Sequence, residues 1–148
     1  MKTEPETFSW NDLEVAPFKT GSWDGVRNFQ ARNFMRDEFK FGDQVFFYHS
    51  SCAEPGIVGL AEVVREGYPD PTALDPKSDY YDEKCVKKGE SHWVMVDIKA
   101  KRPLKKCLAI TEIRKIKELK DMLLLRPGQR LSIQPVEAKH AEYILKHY

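Results

Sequence analysis

The sequence predicts an α+β fold, a mostly antiparallel, barrel-like sheet with helices at its periphery. Three observations carry this. Residues 42–65, GDQVFFYHSSCAEPGIVGLAEVVR, hold two strand-like runs joined by a Glu54-Pro55-Gly56 turn, which reads as an antiparallel hairpin. Residues 91–102 and 131–134 alternate apolar and polar side chains at the period of a half-buried strand. Short stretches with helical spacing or caps lie before the hairpin and at the end of the chain.

In chain order, residues 1–3 are too few to read as a strand, and Pro5 interrupts regular structure. Ser9 followed by Trp10-Asn11-Asp12 predicts an N-cap and a short helix over 10–15, stopped by Pro17. Gly21 to Gly25 reads as a loop, and Asn28 caps a helix running to about Phe39. In the hairpin, His49, Ser50, Ser51 and Cys52 form a polar break, and Gly59 interrupts the return strand. A strand glycine often marks a close approach by a ligand or another backbone, so the hairpin is expected to be the floor of a functional site. Residues 66–89, with Gly67 and three prolines, read as a long loop of the kind that serves as a lid or binding loop. Pro103 is expected to close the strand at 91–102, with a short further strand at 107–110. Helical turns follow over 111–117 and 119–125, then the strand at 131–134 and an amphipathic helix over 137–147.

The 148 residues suit one domain, residues 1–148. No apolar run approaches the roughly 20 residues of a membrane span, and no signal-peptide core follows Met1. Three cysteines at irregular spacing make no disulfide framework, so a reducing interior is expected: cytoplasmic, or nuclear in a eukaryote. Net charge is +1 but uneven. Residues 1–98 carry 11 Lys/Arg against 18 Asp/Glu, whereas residues 99–148 carry 13 against 5. Such a basic block is either a solvated face or the footprint of polyanion binding.

His49-x-x-Cys52 has metal-ligand spacing, but zinc needs about four ligands, and Cys85, His92 and Cys107 are scattered. No metal is expected. His49 beside Ser50, Ser51 and Cys52 offers a nucleophile and a base, yet neighbouring strand residues point to opposite faces and no acidic orienter is evident. Phosphate-loop glycine motifs are absent. An aromatic ligand cage remains. Trp23 lies in a loop, Trp93 opens a strand, and Tyr48, Tyr80 and Tyr81 are available as partner rings. Rings of this kind hold a flat heteroaromatic ligand with stacking of roughly 1–3 kcal/mol per base, and Asn28, His49 and Ser50 supply polar groups for a base edge. Taken alone, each tryptophan reads as an ordinary core residue, with Trp23 set apart by its place beside Asp24-Gly25.

Several ordered motifs then coincide: Lys2-Thr3-Glu4-Pro5, Trp23-Asp24-Gly25-Val26-Arg27-Asn28, Phe47-Tyr48-His49-Ser50, Glu54-Pro55-Gly56-Ile57, Tyr68-Pro69-Asp70, Trp93 with Val96-Asp97, and Arg130-Leu131-Ser132-Ile133-Gln134-Pro135. Together they resemble the EVE domain, including the thymocyte nuclear protein family, along essentially the whole chain. The resemblance implies a PUA-like, mostly antiparallel β-barrel with flanking helices, related to YTH readers of methylated adenine. It implies non-catalytic recognition of a modified base, foremost a modified cytosine in DNA, flipped into an aromatic pocket. Trp23 would then be a cage wall. Lys2, Thr3, Asn28, Tyr48, His49 and Ser50 would line the pocket, Arg130 and Ser132 would sit at its mouth, and Tyr80 or Tyr81 would face Trp23. Arg32, Lys99, Lys101, Arg102, Lys105, Lys106 and Arg126 would hold phosphates. The expected partner is nucleic acid, DNA before RNA, bound by a monomer without a cofactor. A small-molecule or nucleotide sensor using the same pocket is the competing reading. Thr3 stands where the family usually has serine, and few residues precede the Lys-Thr-Glu-Pro motif.

Overall fold

The structure is a computed structural model describing residues 1–148. Its centre is one five-stranded sheet in the order β1-β3-β4-β5-β2. The strands are β1 (Lys2–Thr3), β2 (Thr20–Trp23), β3 (Gln44–His49), β4 (Gly56–Pro69) and β5 (Val94–Ala109). All neighbours are antiparallel except β1 and β3, which run parallel with Lys2 opposite Tyr48. The sheet is mixed, as predicted, but it does not close into a barrel. Strands β1 and β2 are its two edges, and neither pairs with the other.

Helices cover the sheet. The helix α1 (Trp10–Val15) starts with a capping box, in which Ser9 and Asp12 each satisfy the other's backbone N–H. The Asn28 side chain caps α2 (Phe29–Asn33) by accepting from the N–H groups of Gln30 and Ala31. A wider π-type turn, Phe34–Glu38, continues α2 to the end predicted for that helix. Next come α3 (Glu83–Lys88), α4 (Ile110–Ile113) and α5 (Ala138–His147).

The continuous apolar run of β3 follows from burial on both faces. Val45 and Phe47 enter one core with Trp10, Leu13, Trp23, Val63, Val96 and Ile98. Phe46 and Tyr48 enter a second core with Ile57, Leu104, Leu108, Ile113, Leu119 and Ile144. Phe47, fully buried, sits at the centre of an aromatic cluster, with ring centroids 5.3 Å from Trp23 and 5.4 Å from Trp10, both edge-on. Such pairs contribute about 0.5–1.5 kcal/mol each beyond their buried area.

Five further expectations are corrected. Gly21 to Trp23, read as part of a loop, form edge strand β2, paired with β5, because Trp23 is drawn into the core beside Phe47. Strand β5 continues through Pro103 to Ala109, because Pro103 lies opposite Gly59 at a break in register, where no ladder donor is needed. Strand β4 runs on to Pro69, and the long loop after it is partly ordered as a 3-10 turn, Pro71–Leu74, and α3. Residues 131–134 do not join the sheet as a strand, although the carbonyl of Ser132 accepts the N–H of Lys2 at 2.8 Å and so covers part of the β1 edge. The predicted helical stretches over 111–125 are only α4 and two single turns, Lys117–Leu119 and Leu123–Leu125.

Candidate functional site

An open cleft of about 760 Å³ occupies the gap that the unclosed sheet leaves. Lys2 and Thr3 of β1 line one side and Ser22 and Trp23 of β2 the other. The two turns that follow these strands complete it, Glu4 to Phe8 and Asp24 to Arg27, together with Tyr80 and Ser132. Residues 130 positions apart in sequence therefore meet because both sheet edges face one space. Its size is typical of a ligand cleft.

Trp23 is 6% exposed. It stands edge-on to Phe8 at 6.1 Å and to Phe47 at 5.3 Å, so its ring is locked from behind and only a margin reaches the cleft. Tyr80 packs over Gly25. A Cβ added to Gly25 would lie 2.5 Å from the Tyr80 ring, and Gly25 also has a left-handed backbone, φ 70°. Glycine is required there on both counts.

The piece that fixes this corner is Arg27 with Asp70, which the sequence motifs contain but which were not among the predicted site residues. The Arg27 guanidinium donates to Asp70 Oδ2 at 2.7 Å, to Thr72 Oγ1 at 2.9 Å and, through Nη2 and Nε, to the Tyr80 carbonyl at 2.7 and 2.9 Å. Asp70 is fully buried and accepts as well from the Gly25 N–H (3.0 Å), the Thr72 N–H (2.9 Å) and the Thr72 hydroxyl (2.6 Å). Burial pushes the Asp70 carboxyl up, but the bonds from Thr72, Arg27 and Gly25 outweigh it and leave it below its ordinary value. One buried ion pair thus ties the turn after β2 to the segment that carries Tyr80.

Two charged groups in the cleft are perturbed in opposite senses. Burial, with the Asp70 charge, pushes the Asp24 carboxyl up. Burial also pushes the Lys2 ammonium down. Both shifts favour the neutral form.

Of the predicted pocket residues, Lys2, Thr3, Trp23, Tyr80 and Ser132 come together here. The hairpin supplies none of the lining, and it serves as the packed layer beneath. Its glycine has a different reason from the one expected: a Cβ on Gly59 would meet the Trp10 ring at 2.5 Å. His49 Nε2 accepts the N–H of Trp10 at 3.0 Å, which anchors the start of α1, and burial lowers its pKa. The Ser50 N–H and hydroxyl both donate to the Thr3 carbonyl, at 2.8 and 3.1 Å, so Ser50 positions the cleft wall from behind. Asn28 spends its side chain on the α2 cap. Tyr48 lines a separate pocket of about 300 Å³, walled by Phe46, Ile57, Met122, Leu123 and Pro135, with Lys2 and Ser132 shared between the two. Trp93 is buried under Phe29 at 4.8 Å, with its indole N–H on Asp82 at 2.8 Å, and Tyr81 is exposed. Arg130 is exposed two residues before Ser132.

None of the predicted phosphate-holding residues lines the cleft. Lys101 pairs with Glu62 and Lys106 with Glu112. Arg102 donates to the Tyr148 carbonyl, and Arg32 is held by Asn33 and the His92 carbonyl. Lys105 lies nine residues along β5 from Val96, the partner of Trp23, whereas Lys99 lies only three away and faces Thr20 of β2. Lys99, Lys105 and Arg126 are exposed and have no ion-pair partner.

One cluster was set aside in the sequence because its members are scattered. Asp82, Cys85 and His92, scattered to the eye, meet around α3 with one donor atom from each within 4.8 Å of the others. No helix is long and apolar enough to cross a membrane.

Comparison with known proteins places this geometry. The EVE domain family matches residues 1–147. Thymocyte nuclear protein 1 of Danio rerio is 44% identical over 162 residues, covering 98% of this chain and 69% of the relative. The Homo sapiens protein of that name is 40% identical over 162 residues, covering 98% and 71%. Among solved structures, a Pseudomonas syringae protein superposes with a TM-score of 0.90 at 44% identity, covering 99% of this chain and 95% of that one. Human THYN1 protein in complex with 5-methylcytosine-containing DNA superposes with a TM-score of 0.90 at 39% identity, covering 99% and 94%. The chain belongs to the EVE domain family, within its thymocyte nuclear protein 1 branch.

Proposed function

We propose that this protein is a non-catalytic reader of a modified base in DNA, foremost a modified cytosine, which it receives flipped out of the duplex into the cleft between β1 and β2. The observation that carries the reading is the cleft itself, rimmed by both sheet edges and walled by Trp23 and Tyr80, in a chain whose relative is solved with 5-methylcytosine DNA. The nuclear names of the relatives fit a DNA partner.

In this reading the flipped base costs a few kcal/mol of unstacking and recovers it against the Tyr80 ring and the margin of Trp23, at roughly 1–3 kcal/mol per stacked base. Asp24 accepts from the exocyclic amine of cytosine, a donor that thymine replaces with a carbonyl. Lys2, Thr3 and Ser132 supply donors on the opposite wall. Arg130 and Lys99, exposed near the mouth and on the strand beside β2, hold phosphates without reading sequence.

The test is fluorescence anisotropy with duplexes differing only in cytosine, 5-methylcytosine or 5-hydroxymethylcytosine, at two salt concentrations. Tyr80→Ala leaves the backbone carbonyl that Arg27 holds, so the fold is retained while modified-base preference falls about 5- to 150-fold. Lys99→Ala weakens all duplexes about equally and lowers the salt slope by about one. Equal losses on modified and plain DNA in both variants would sink the proposal. Weak binding without salt dependence would move the cleft to a neutral small ligand, a reading favoured by the absence of the basic block from its lining.

A further inference from the structure

We propose that Asp82, Cys85 and His92 form a binding site for one zinc ion, separate from the cleft. The three residues lie within an eleven-residue stretch wrapped around α3. Cys85 Sγ is 3.2 Å from His92 Nδ1, and His92 Nε2 is 3.6 Å from Asp82 Oδ2. Zinc–sulfur, zinc–nitrogen and zinc–oxygen bonds of about 2.3, 2.0–2.1 and 2.0–2.2 Å in a tetrahedron put ligand atoms roughly 3.3–3.6 Å apart. The two contacts use opposite nitrogens of the His92 ring, so one side chain must swing to the nitrogen the other already meets. One donor atom from each residue lies within 4.8 Å of the others, a spacing that side-chain rotation can close around an ion. The ion takes Sγ, one imidazole nitrogen and one carboxylate oxygen, and water fills the fourth position.

The donors are also held from outside, as metal ligands usually are. The Trp93 indole N–H donates to Asp82 Oδ2 at 2.8 Å, and the Lys84 N–H donates to Oδ1 at 2.9 Å. Each carboxylate oxygen keeps a second lone pair for an ion. The His92 ring packs parallel to Phe29, at 6.0 Å and 17°, and tilted against Trp93, at 4.9 Å and 42°, and these two neighbours restrict its rotation. Cys85 is fully buried, whereas the Asp82 and His92 side chains are 21% and 27% exposed, so the cluster opens to solvent on one side and an ion has a way in.

The donor set selects the metal. Calcium and magnesium take six or more ligands, nearly all oxygen, and Asp82 is the only carboxylate in the cluster. One thiol, one imidazole and one carboxylate suit zinc. Binding replaces the Cys85 S–H bond with a sulfur–zinc bond and releases that proton to water. An ion here would staple the chain immediately after Tyr80, closing the segment between that ring and Trp93.

The experiment uses the full chain, stripped with a chelator and kept reduced with a phosphine, then titrated with Zn2+ against a chromophoric chelator. Co2+ serves as a spectroscopic substitute whose charge-transfer absorption reports thiolate ligation. One ion per chain is expected, with thiolate absorption. Affinity falls at least about tenfold in His92→Gln and in Cys85→Ser, and roughly 10- to 100-fold in Trp93→Phe, which removes the N–H on Asp82. The double variant Cys52→Ser/Cys107→Ser binds as the parent does. His92 is partly exposed, so its variant, with circular dichroism as the fold check, decides the matter should Cys85→Ser fail to fold. No saturable Zn2+ binding, unchanged affinity in folded His92→Gln, or loss of binding only in the Cys52/Cys107 variant each overturns the proposal.

Discussion

Replacing Asp70 with asparagine removes the charge on which the cleft's corner depends. The buried carboxylate accepts four hydrogen bonds, from Gly25, Arg27 and, twice, Thr72. An asparagine offers one acceptor oxygen and turns an amide donor toward either the guanidinium of Arg27 or the N–H of Thr72. Removing one partner of a buried ion pair costs about 3–5 kcal/mol. For a chain of this size that is a fall in Tm of roughly 6–20 °C. Urea denaturation followed by tryptophan fluorescence measures it, because all three tryptophans are buried. The pH dependence adds a signature. The folded Asp70 carboxyl lies below its ordinary value, so its contribution is complete above about pH 4 and is lost as pH falls through the folded pKa. The gap between parent and Asp70→Asn should therefore be full at neutral pH and narrow in acid. A loss under about 1 kcal/mol at pH 7, the scale of an exposed pair, would refute the claim that Arg27 and Asp70 hold the cleft together.

Three other outcomes follow from the same geometry. Gly25→Ala strains a left-handed position by about 1–3 kcal/mol and pushes into the Tyr80 ring, so thermal melts should show a modest stability loss while anisotropy shows a much larger loss of modified-base binding. His49→Ala leaves the Trp10 N–H without its acceptor and should cost about 1–3 kcal/mol in urea denaturation at pH 7.5. Burial holds the folded His49 pKa below its ordinary value, so its contribution is complete above about pH 6.5 and fades as pH falls through the folded pKa; the variant and the parent should converge in acid. Asp24→Asn gives the base edge a group that can donate as well as accept, and competition binding should show discrimination of cytosine from thymine in a flipped position reduced by about 1–3 kcal/mol.

Much of this molecule was legible in its sequence, and the failures share a cause. The capping signals at Ser9 and Asn28 were local and the structure contains both. The hairpin of β3 and β4 was also local and it formed, although its connection over residues 50–55 is a bend and Gly56, read as part of the turn, is already paired in β4 with His49. Its role was misread because Val45 to Tyr48 are buried on both faces, so the pattern offered no polar face to separate floor from core. Lys2, Thr3, Trp23, Tyr80 and Ser132, which the resemblance grouped as pocket residues with Tyr81 as the alternative to Tyr80, share one cleft, information that spacing alone does not hold. Arg27 and Asp70 are 43 residues apart, and nothing in either neighbourhood announces a partner. The Cys85 and His92 pair was dismissed as scattered because the turn of α3 that folds one back onto the other is a three-dimensional fact. Pro103 was read as a stop signal, and only the register break opposite Gly59 shows why the strand passes through it.

The open edge of β2 and the edge of β1, covered only in part by Ser132, have a consequence for stability as well as recognition. A sheet one stave short of a barrel has a seam, and an occupant that touches both margins acts as a removable stave. Such an occupant binds only the folded form, so at one hundred times its dissociation constant it adds about 2.7 kcal/mol to unfolding. The gain should be concentrated where the seam would otherwise part, at the amides of Thr3 and Ser22, rather than spread over the β3–β4 core. The empty protein is then the looser of two forms, and its exposed β2 margin, free on one side for pairing with another chain, is sheltered whenever the cleft is filled.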